Sequence, residues 1–396
     1  MRLQIINARV VDARGERRET VCVEGGRIVP SLSGEAHRVI NARGLVLTPG
    51  LTDTHCHLRD PGYPQKETME TGMRAALRGG YVTLCAMANT LPVMETPALV
   101  AENHRRAEAL GLCRLVQAGA AGVGLGEETP TDRAALATVT RVISNDGKTI
   151  FSDDFMRRLL MDSRKHGFLI STHCQPERAT VKRDLALLKE VGGNLHIGHI
   201  STKETVAMIR AAKADMPDAV MGYMRGSSRS LTCEVMPHHL FVWDDPYKVN
   251  PPIRAKEDAE ALIAGIADGT IDCLATDHAP HTPDDKAAGM AGISNIEHAL
   301  AIFLKVFYDN NIPLTRLFEM AAGNTALLLG TGTGLIAPGE RADLILVDPD
   351  APWVIQKDAM ISRSHNTPFE GRQVRGKVLI TIREGNILYD HGQTLS

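Results

Sequence analysis

Short apolar runs alternate with helix-length amphipathic segments through the middle of this chain, and this alternation restricts the fold more than any other feature. The runs have the length of buried strands, and they are predicted to begin near Leu51, Tyr81, Arg114, Thr149, Phe168, Asn194, Leu231 and Ile271. Such strands with helices between them favour an α/β fold of the (β/α)8 barrel type. A doubly wound open sheet is the alternative, but no Gly-x-Gly-x-x-Gly follows the first strand to form a dinucleotide site.

The two ends of the chain have a different pattern. Residues 1–50 alternate apolar and polar positions around a turn at Gly25-Gly26, and residues 339–396 do the same around Gly385-Asn386. Because chain termini often lie close together, we predict that both ends form one small β-sheet domain, with the barrel in residues 51–338.

Composition limits the kinds of partner. The formal net charge is -3 and the pI is about 6.6, so neither sign of charge dominates, which argues against nucleic-acid and membrane-surface partners. The seven cysteines include no Cys-x-x-Cys pair, which is typical of reduced thiols. The sequence has neither a signal-peptide core nor an apolar run of membrane-spanning length. We expect a cytoplasmic protein that acts on a small molecule.

Histidines and aspartates occupy the predicted strand ends. His55 and His57 are two residues apart on an extended strand, so their imidazoles point to the same face, which Arg59 continues. Functional groups of a barrel gather at the C-terminal ends of its strands. The candidate ligands found there are His55, His57, Asp154, His173, His199 and Asp277. Imidazole nitrogens and carboxylate oxygens suit zinc, and this number of groups is sufficient for one or two ions.

Each of these residues, taken singly, has an ordinary structural explanation. His173 or His199 alone is more often a hydrogen-bonded core histidine, and Asp154 alone fits a helix N-cap. Their recurrence at the ends of several strands favours a metal site. His196 is out of phase with His199 along its strand and is therefore predicted to face away from the site.

Several motifs together resemble those of the cyclic amidohydrolases and, within that superfamily, of the bacterial dihydroorotases. The matching segments are 53–62 (DTHCHLRDPG), 87–90 (MANT), 151–154 (FSDD), 172–174 (THC), 199–202 (HIST), 234–240 (EVMPHHL), 250–252 (NPP), 276–281 (TDHAPH) and 366–369 (NTPF). They run through nearly the whole chain in the family's order. The collective resemblance is specific, whereas any single motif would be weak.

The resemblance implies reversible, zinc-dependent hydrolysis of the cyclic amide of L-dihydroorotate to N-carbamoyl-L-aspartate, a step of pyrimidine biosynthesis. It implies that the six residues above are metal ligands and that Arg59, Asn89 and His281 hold the substrate carboxylate, with Asn250 near the ring. Asp277 would take a proton from the attacking hydroxide and pass it to the departing nitrogen. As in some relatives, we expect a homo-oligomer, and association with an aspartate transcarbamoylase stays open.

The superfamily bridges two metal ions with either a carboxylated lysine or an aspartate. Lys148 lies at the start of the predicted fourth strand, whereas Asp154 lies at its end, where functional groups gather. We therefore predict that Asp154 is the bridge. Asp153 is the alternative, because Phe155 stands where relatives commonly have a glycine and the register could shift by one residue.

Two other functions compete with this interpretation. Hydantoinases, dihydropyrimidinases and allantoinases resemble the chain in fold and metal site, but Arg59 favours a substrate that carries a carboxylate. A structural paralogue without activity is disfavoured because all six candidate ligands are present. Compared with relatives, the loop after His173 is short and residues 217–230 look inserted, which affects the predicted entrance to the site.

Overall fold

A computed structural model of the chain describes residues 1–222 and 226–391. Its strands are β1 (Arg2–Asp12), β2 (Gly15–Glu24), β3 (Arg27–Val29), β4 (Arg38–Asn41), β5 (Val46–Pro49), β6 (Leu51–Cys56), β7 (Tyr81–Ala86), β8 (Arg114–Gln117), β9 (Gly119–Ala120), β10 (Val142–Ser144), β11 (Leu169–Thr172), β12 (Gly193–Ile197), β13 (Arg229–Val235), β14 (Cys273–Leu274), β15 (Leu344–Val354), β16 (Gln373–Arg383) and β17 (Asn386–Asp390).

The helices lie mostly between the strands of the central segment. They are α1 (Met69–Arg78), α2 (Pro97–Leu110), α3 (Arg133–Leu136), α4 (Asp153–His166), α5 (Glu177–Val191), α6 (Lys203–Asp215), α7 (Pro237–Phe241), α8 (Lys256–Ala267), α9 (Pro283–Ala287), α10 (Ala299–Asp309), α11 (Leu314–Phe318) and α12 (Asn324–Leu329). No helix within the described ranges has both the length and the apolar character that a membrane span requires.

Strands from both ends of the chain form one sheet. Its order is β17-β16-β15-β5-β1-β2-β3, with β4 paired to β1. The two ends meet where β5 pairs antiparallel with β15, in a register that places Leu47 opposite Leu346. Both side chains belong to a buried apolar cluster that also includes Leu3 and Ile380. The predicted terminal sheet domain is therefore confirmed, whereas its bounds at residues 50 and 339 stay a prediction.

The central strands are parallel and close into a barrel. β6, β7 and β8 pair in sequence, as do β9 to β14. The ring closes between the first and last strands, where the His57 N–H donates to the His278 carbonyl at 2.8 Å and the Asp277 N–H donates to the His55 carbonyl at 2.9 Å. β8 and β9 are separated by one residue and count as one interrupted strand, so the barrel has the eight strands predicted from the sequence.

The terminal sheet docks against the barrel through β16. Gly376, with a φ of +92°, lets this strand approach α10 closely, because a Cβ at this position would overlap Leu304. The Thr381 hydroxyl donates to the Leu77 carbonyl at 2.7 Å, and Arg383 donates to the Leu112 carbonyl at 2.7 Å. These contacts fix the sheet on the side of the barrel and leave the C-terminal strand ends open.

The fourth barrel strand lies earlier in the chain than the sequence pattern predicts. It was expected from Thr149, but β10 spans Val142–Ser144, and the following loop leads into α4. A strand of three residues is too short to show a periodicity of its own. The apolar pair Ile150-Phe151 that resembled a strand belongs to the loop, where the Phe151 side chain is exposed.

The segment that looked inserted is only partly described. A 3-10 turn at Pro217–Ala219 precedes an isolated parallel bridge between Val220 and Leu231. Residues 223–225, which belong to the same predicted insertion, lie outside the described residues.

Candidate active site

A cluster of buried polar side chains lies at the C-terminal end of the barrel strands. His55 is on β6 and His57 lies just beyond it, while His173 follows β11 and His199 lies two residues after the end of β12. Asp277 lies three residues beyond β14. All of these side chains are buried. The structure thus brings together the predicted ligands other than Asp154.

An aspartate that the sequence analysis did not select lies at the centre of the cluster. Asp146 follows β10, and its Oδ1 is 3.3 Å from His55 Nε2 and 3.3 Å from His173 Nδ1. The same oxygen is 3.4 Å from His199 Nε2, and Oδ2 is 3.4 Å from His57 Nε2. One carboxylate of the cluster therefore faces four imidazoles.

The second carboxylate, Asp277, faces the histidines of the first strand. Its Oδ1 lies 3.2 Å from His57 Nε2 and 3.9 Å from His55 Nε2. Two groups have ligand atoms within 4.8 Å of one another, namely His55 with Asp146 and His199, and His55 with His57 and Asp277. Because His55 belongs to both groups, the two candidate metal positions are adjacent.

Hydrogen bonds behind the cluster orient its imidazoles. Glu234 accepts from His55 Nδ1 at 2.7 Å, and Asn89 Oδ1 accepts from His57 Nδ1 at 2.9 Å. These bonds place the proton of each ring on Nδ1 and leave the lone pair of Nε2 directed at the cluster. His196, as predicted, faces away from the cluster and lies behind it, with Nε2 3.0 Å from Glu234.

The facing groups require a positive charge between them. A lone pair and a carboxylate oxygen are both acceptors, and the buried Nε2 of His55 finds no hydrogen-bond partner among the described residues. Burial lowers the pKa of His55, but Asp146 and Glu234 outweigh it and hold the pKa well above its ordinary value. Burial raises the pKa of Asp146, but the charge and hydrogen bonds of neighbouring histidines hold it well below its ordinary value. This donor set fits divalent cations.

Three residues of the site have left-handed backbone conformations. The φ angles are +58° at Arg59, +32° at His199 and +45° at Asp277. Such conformations cost an L-residue about 1–3 kcal/mol and occur preferentially at functional sites, where the surrounding structure imposes them. Each of the three follows a barrel strand, at the end where the cluster lies.

Asp154 does not belong to the buried cluster, so the prediction that it bridges two metal ions is wrong. It lies in the first turn of α4, its side chain is 78% exposed, and it pairs with Arg157 at 2.8 Å. The alternative, Asp153, is also exposed and pairs with Arg183 at 3.0 Å. The Ser152 hydroxyl accepts the Phe155 N–H as an N-cap, so the paired aspartates begin a helix, where acidic residues stabilise the helix dipole.

The sequence did contain a signal for Asp146. Asn145-Asp146-Gly147 follows β10 directly, and Gly147 has a φ of +84°, which a turn at the strand end requires. The glycine expected after the family's acidic pair is this one, eight positions before Phe155. Lys148, the other candidate for a bridge, is exposed and donates to the Gly124 carbonyl.

A cavity of about 410 Å³ opens above the cluster. Four of the candidate ligands, His57, Asp146, His173 and Asp277, line it. So do the four residues predicted to bind substrate, Arg59, Asn89, Asn250 and His281. Arg59 Nη2 is 3.2 Å from His281 Nε2, and Asn250 Nδ2 is 3.1 Å from His173 Nε2. The predicted residues are thus in one place, and their roles toward a substrate stay predictions.

The family is decided by comparison with known proteins. Residues 46–388 match the model of the amidohydrolase family. The chain belongs to this family. The matched range covers the whole barrel and, in the terminal sheet, β5, β15, β16 and the first part of β17.

Curated proteins similar to this chain are named dihydroorotase, and two of them serve as examples. The protein from Thermoanaerobacter sp. is 35% identical over 98% of this chain and 97% of its own length. The protein from Desulforapulum autotrophicum is 34% identical over 88% of each chain. These relatives and the family match confirm the prediction of a cyclic amide hydrolase.

Solved structures similar to this chain confirm the predicted fold. An L-hydantoinase (dihydropyrimidinase) from Arthrobacter aurescens aligns over 100% of this chain and 97% of its own, with a TM-score of 0.87 and 23% identity. A dihydropyrimidinase from Brevibacillus agri aligns over 99% of this chain and 95% of its own, with a TM-score of 0.86 and 21% identity. At these identities the likeness concerns the fold alone.

Proposed function

We propose that this protein is a dihydroorotase, which hydrolyses the cyclic amide of L-dihydroorotate to N-carbamoyl-L-aspartate and catalyses the reverse reaction. The observation that carries the proposal is the guanidinium of Arg59, which lines the cavity beside the histidine and aspartate cluster. The cluster is suited to hydrolysis of an amide, and the guanidinium is suited to a substrate that also carries a carboxylate. The dihydroorotases among the curated relatives support the same conclusion.

The metal we propose is zinc, as one or two ions. The residues that would hold it are His55, His57, Asp146, His173, His199 and Asp277. A divalent cation of this type supplies a water whose pKa falls to about 7 and a Lewis acid that polarises a carbonyl. The inclusion of Asp146 replaces the sequence-based choice of Asp154.

Arg59 would bind the substrate carboxylate. Its Nε donates to the Pro280 carbonyl at 3.2 Å, which fixes the plane of the guanidinium, and no ion-pair partner for it occurs within residues 1–222 and 226–391. The charges of Asp277, Asp146 and Asp285 act on Arg59, but it is half-buried and forms no direct ion pair with a described carboxylate. Because water screens charge poorly there, an anion in the cavity would be attracted to the guanidinium. Asn89 and His281 flank the same part of the cavity and would complete the carboxylate site.

Asp277 would act as the general base and then as the general acid. Burial raises its pKa, but His57 and the other histidines outweigh burial and hold the pKa well below its ordinary value. The carboxylate is therefore ionised at neutral pH and can accept the proton of the attacking water. It would then deliver that proton to the ring nitrogen as the amide bond breaks, so that the nitrogen leaves as part of a neutral carbamoyl group.

A substrate panel tests the proposal. The purified protein should interconvert dihydroorotate and carbamoyl-aspartate, and should act at least about 100-fold more slowly on hydantoin, dihydrouracil and allantoin, which lack the carboxylate. Arg59→Met should raise the KM for dihydroorotate about 10- to 100-fold and erase most of this preference. Equal turnover of neutral rings by the unaltered protein would instead support a hydantoinase or dihydropyrimidinase.

The biological setting is also part of the proposal. We propose a role in pyrimidine biosynthesis in the cytoplasm, and a homo-oligomer that can associate with an aspartate transcarbamoylase. Light scattering coupled to gel filtration would give the oligomeric state. Co-elution with the transcarbamoylase of the same organism would support the association, and separate elution at micromolar concentration would contradict it.

A further inference from the structure

Lys66 lies at the active-site cavity but was not among the predicted site residues. It belongs to the loop between β6 and α1, and its side chain is only 13% exposed. Its Nζ is 3.3 Å from His281 Nδ1 and 3.3 Å from Asp285 Oδ1, and it also lies 5.4 Å from the centre of the Tyr63 ring. Lys66 is therefore largely buried and contacts a histidine that is proposed to bind the substrate.

His281 is held between two groups that can only donate hydrogen bonds. Lys66 Nζ approaches its Nδ1, and Arg59 Nη2 approaches its Nε2 at 3.2 Å. Burial, Arg59 and Lys66 together lower the pKa of His281 to about 4, so the ring is neutral near neutral pH. A neutral imidazole has one acceptor nitrogen, and it can therefore satisfy only one of the two donors.

Asp285 determines which donor is satisfied. Its Oδ2 accepts from the N–H of Thr282 at 3.0 Å and from the Thr282 hydroxyl at 2.9 Å, which leaves Oδ1 for Lys66. Asp285 thus holds the ammonium of Lys66 in place beside His281 Nδ1. The Asp285 Oδ2 atom lies 3.5 Å from the same nitrogen, which is too long for a good hydrogen bond.

We infer that Lys66 is a positioning residue that fixes the tautomer of His281, with the proton on Nε2, so that His281 and Arg59 donate together to one substrate carboxylate. Lys66 donates to the lone pair of Nδ1, and the proton of the ring must then be on Nε2. With the proton on Nε2, this N–H faces Arg59 Nη2 at 3.2 Å, so two donors meet there without an acceptor. A carboxylate oxygen in the cavity accepts from both. This inference rests on the proposed function for the identity of the anion.

Without Lys66, the His281 ring can adopt the other tautomer and form different hydrogen bonds. Nδ1–H can turn to the carboxylate of Asp285, and Nε2 then accepts from Arg59. In that arrangement His281 no longer donates to the substrate and also occupies one N–H of Arg59. The loss of one lysine would therefore weaken two contacts to the substrate, although Lys66 itself need not touch it.

The test combines a spectroscopic measurement with kinetics on the metal-loaded full-length protein. Nitrogen-15 NMR of histidine-labelled protein without substrate should show His281 as the Nε2–H tautomer, and Lys66→Met should change it to Nδ1–H. The KM for dihydroorotate should rise about 10- to 100-fold in Lys66→Met with kcat changed much less, as expected when hydrogen bonds to a charged group are lost. Metal content should not change.

Three further variants distinguish this role from a structural one. Lys66→Arg should keep the Nε2–H tautomer and most of the affinity, because a guanidinium also only donates. Asp285→Asn should keep the tautomer too, since the amide oxygen of the asparagine can still accept from the Lys66 ammonium and hold it at Nδ1. Lys148→Met removes a positive charge from an exposed lysine at the same end of the barrel, and both the tautomer and KM should stay as they are.

The inference is overturned if His281 remains Nε2–H in Lys66→Met, or if that variant binds substrate as the unaltered protein does. A similar rise of KM in Lys148→Met would also overturn it, because general attraction of the anion would then be sufficient. Should Lys66→Met not fold, Lys66→Gln provides the same comparison. The tautomer is measured without substrate, so failure of the proposed function would appear separately, as an unaltered protein that does not turn over dihydroorotate.

Discussion

Both ends of the barrel bury carboxylates, but only the N-terminal end pairs its carboxylate with a lysine. At the N-terminal end of β14, Lys213 Nζ lies 2.7 Å from both oxygens of Asp272 and donates to the Thr270 carbonyl at 2.8 Å. Asp272 also accepts from the Cys233 N–H at 2.9 Å. At the C-terminal end, the two carboxylates of the cluster have only imidazoles as ion-pair partners within the described ranges.

The ion pair at the N-terminal end is suited to stabilising the fold, whereas the cluster at the C-terminal end is suited to catalysis. The pair of Lys213 and Asp272 is neutral as a whole and forms hydrogen bonds inside the protein, so nothing needs to be added. The histidine and aspartate cluster places imidazole nitrogens against carboxylate oxygens, an arrangement that needs protons or a metal cation between them. We therefore expect damage at one end to appear in the unfolding free energy, and damage at the other end to appear in metal content and turnover.

The largest expected effect is that of Asp146→Ala. Removing the carboxylate that faces four imidazoles should reduce bound metal to below half of its usual content and lower kcat by at least about 1,000-fold, the scale of losing a major charge-stabilising group. Elemental analysis and the dihydroorotate assay provide the measurements. The matched control is Asp154→Ala, which removes an exposed carboxylate eight residues away and should change neither quantity. Loss of metal in the control alone would restore the sequence-based choice.

Lys213→Met should affect the other end of the barrel. It leaves Asp272 buried without its counter-charge, so the free energy of unfolding should fall by about 3–5 kcal/mol. Urea unfolding monitored by circular dichroism measures this change. Below the unfolding transition, metal content and kcat should stay within about twofold of the unaltered protein, since Lys213 contacts no residue of the cluster. A large loss of kcat with unchanged stability would show that the two ends are coupled.

The smallest of these effects is expected from Glu234→Gln, which changes a residue that orients a histidine of the cluster. The amide keeps the shape of the side chain but removes the charge that orients His55, so metal affinity should fall about 10- to 100-fold. Titration with a competing chelator measures this affinity. Excess zinc should restore most of the turnover, in contrast to Asp146→Ala. Unchanged affinity would mean that packing alone orients His55.

The sequence was sufficient for features that repeat or that lie close together along the chain. The alternation of strands and helices predicted the barrel, and the strand-end histidines were found because each follows an apolar run. Asp146 was missed because β10 has only three residues, while Ser152-Asp153-Asp154 combines an N-cap with two acidic residues and resembles a functional motif. The contact of Lys66 with Asp285 joins residues far apart in the chain and could only be seen in the structure.

The pairing of β5 with β15 has a consequence for how the protein is made. β5 ends at Pro49, but its neighbour in the sheet begins at Leu344, roughly 300 residues later. At translation rates of about 5–20 residues per second, the edge of β5 would wait on the order of 15–60 seconds for its partner on the ribosome. Throughout that time, the first strands expose unpaired backbone groups to other chains. Newly synthesised chains that stop short of Leu344 should therefore bind chaperones and aggregate more readily than completed ones.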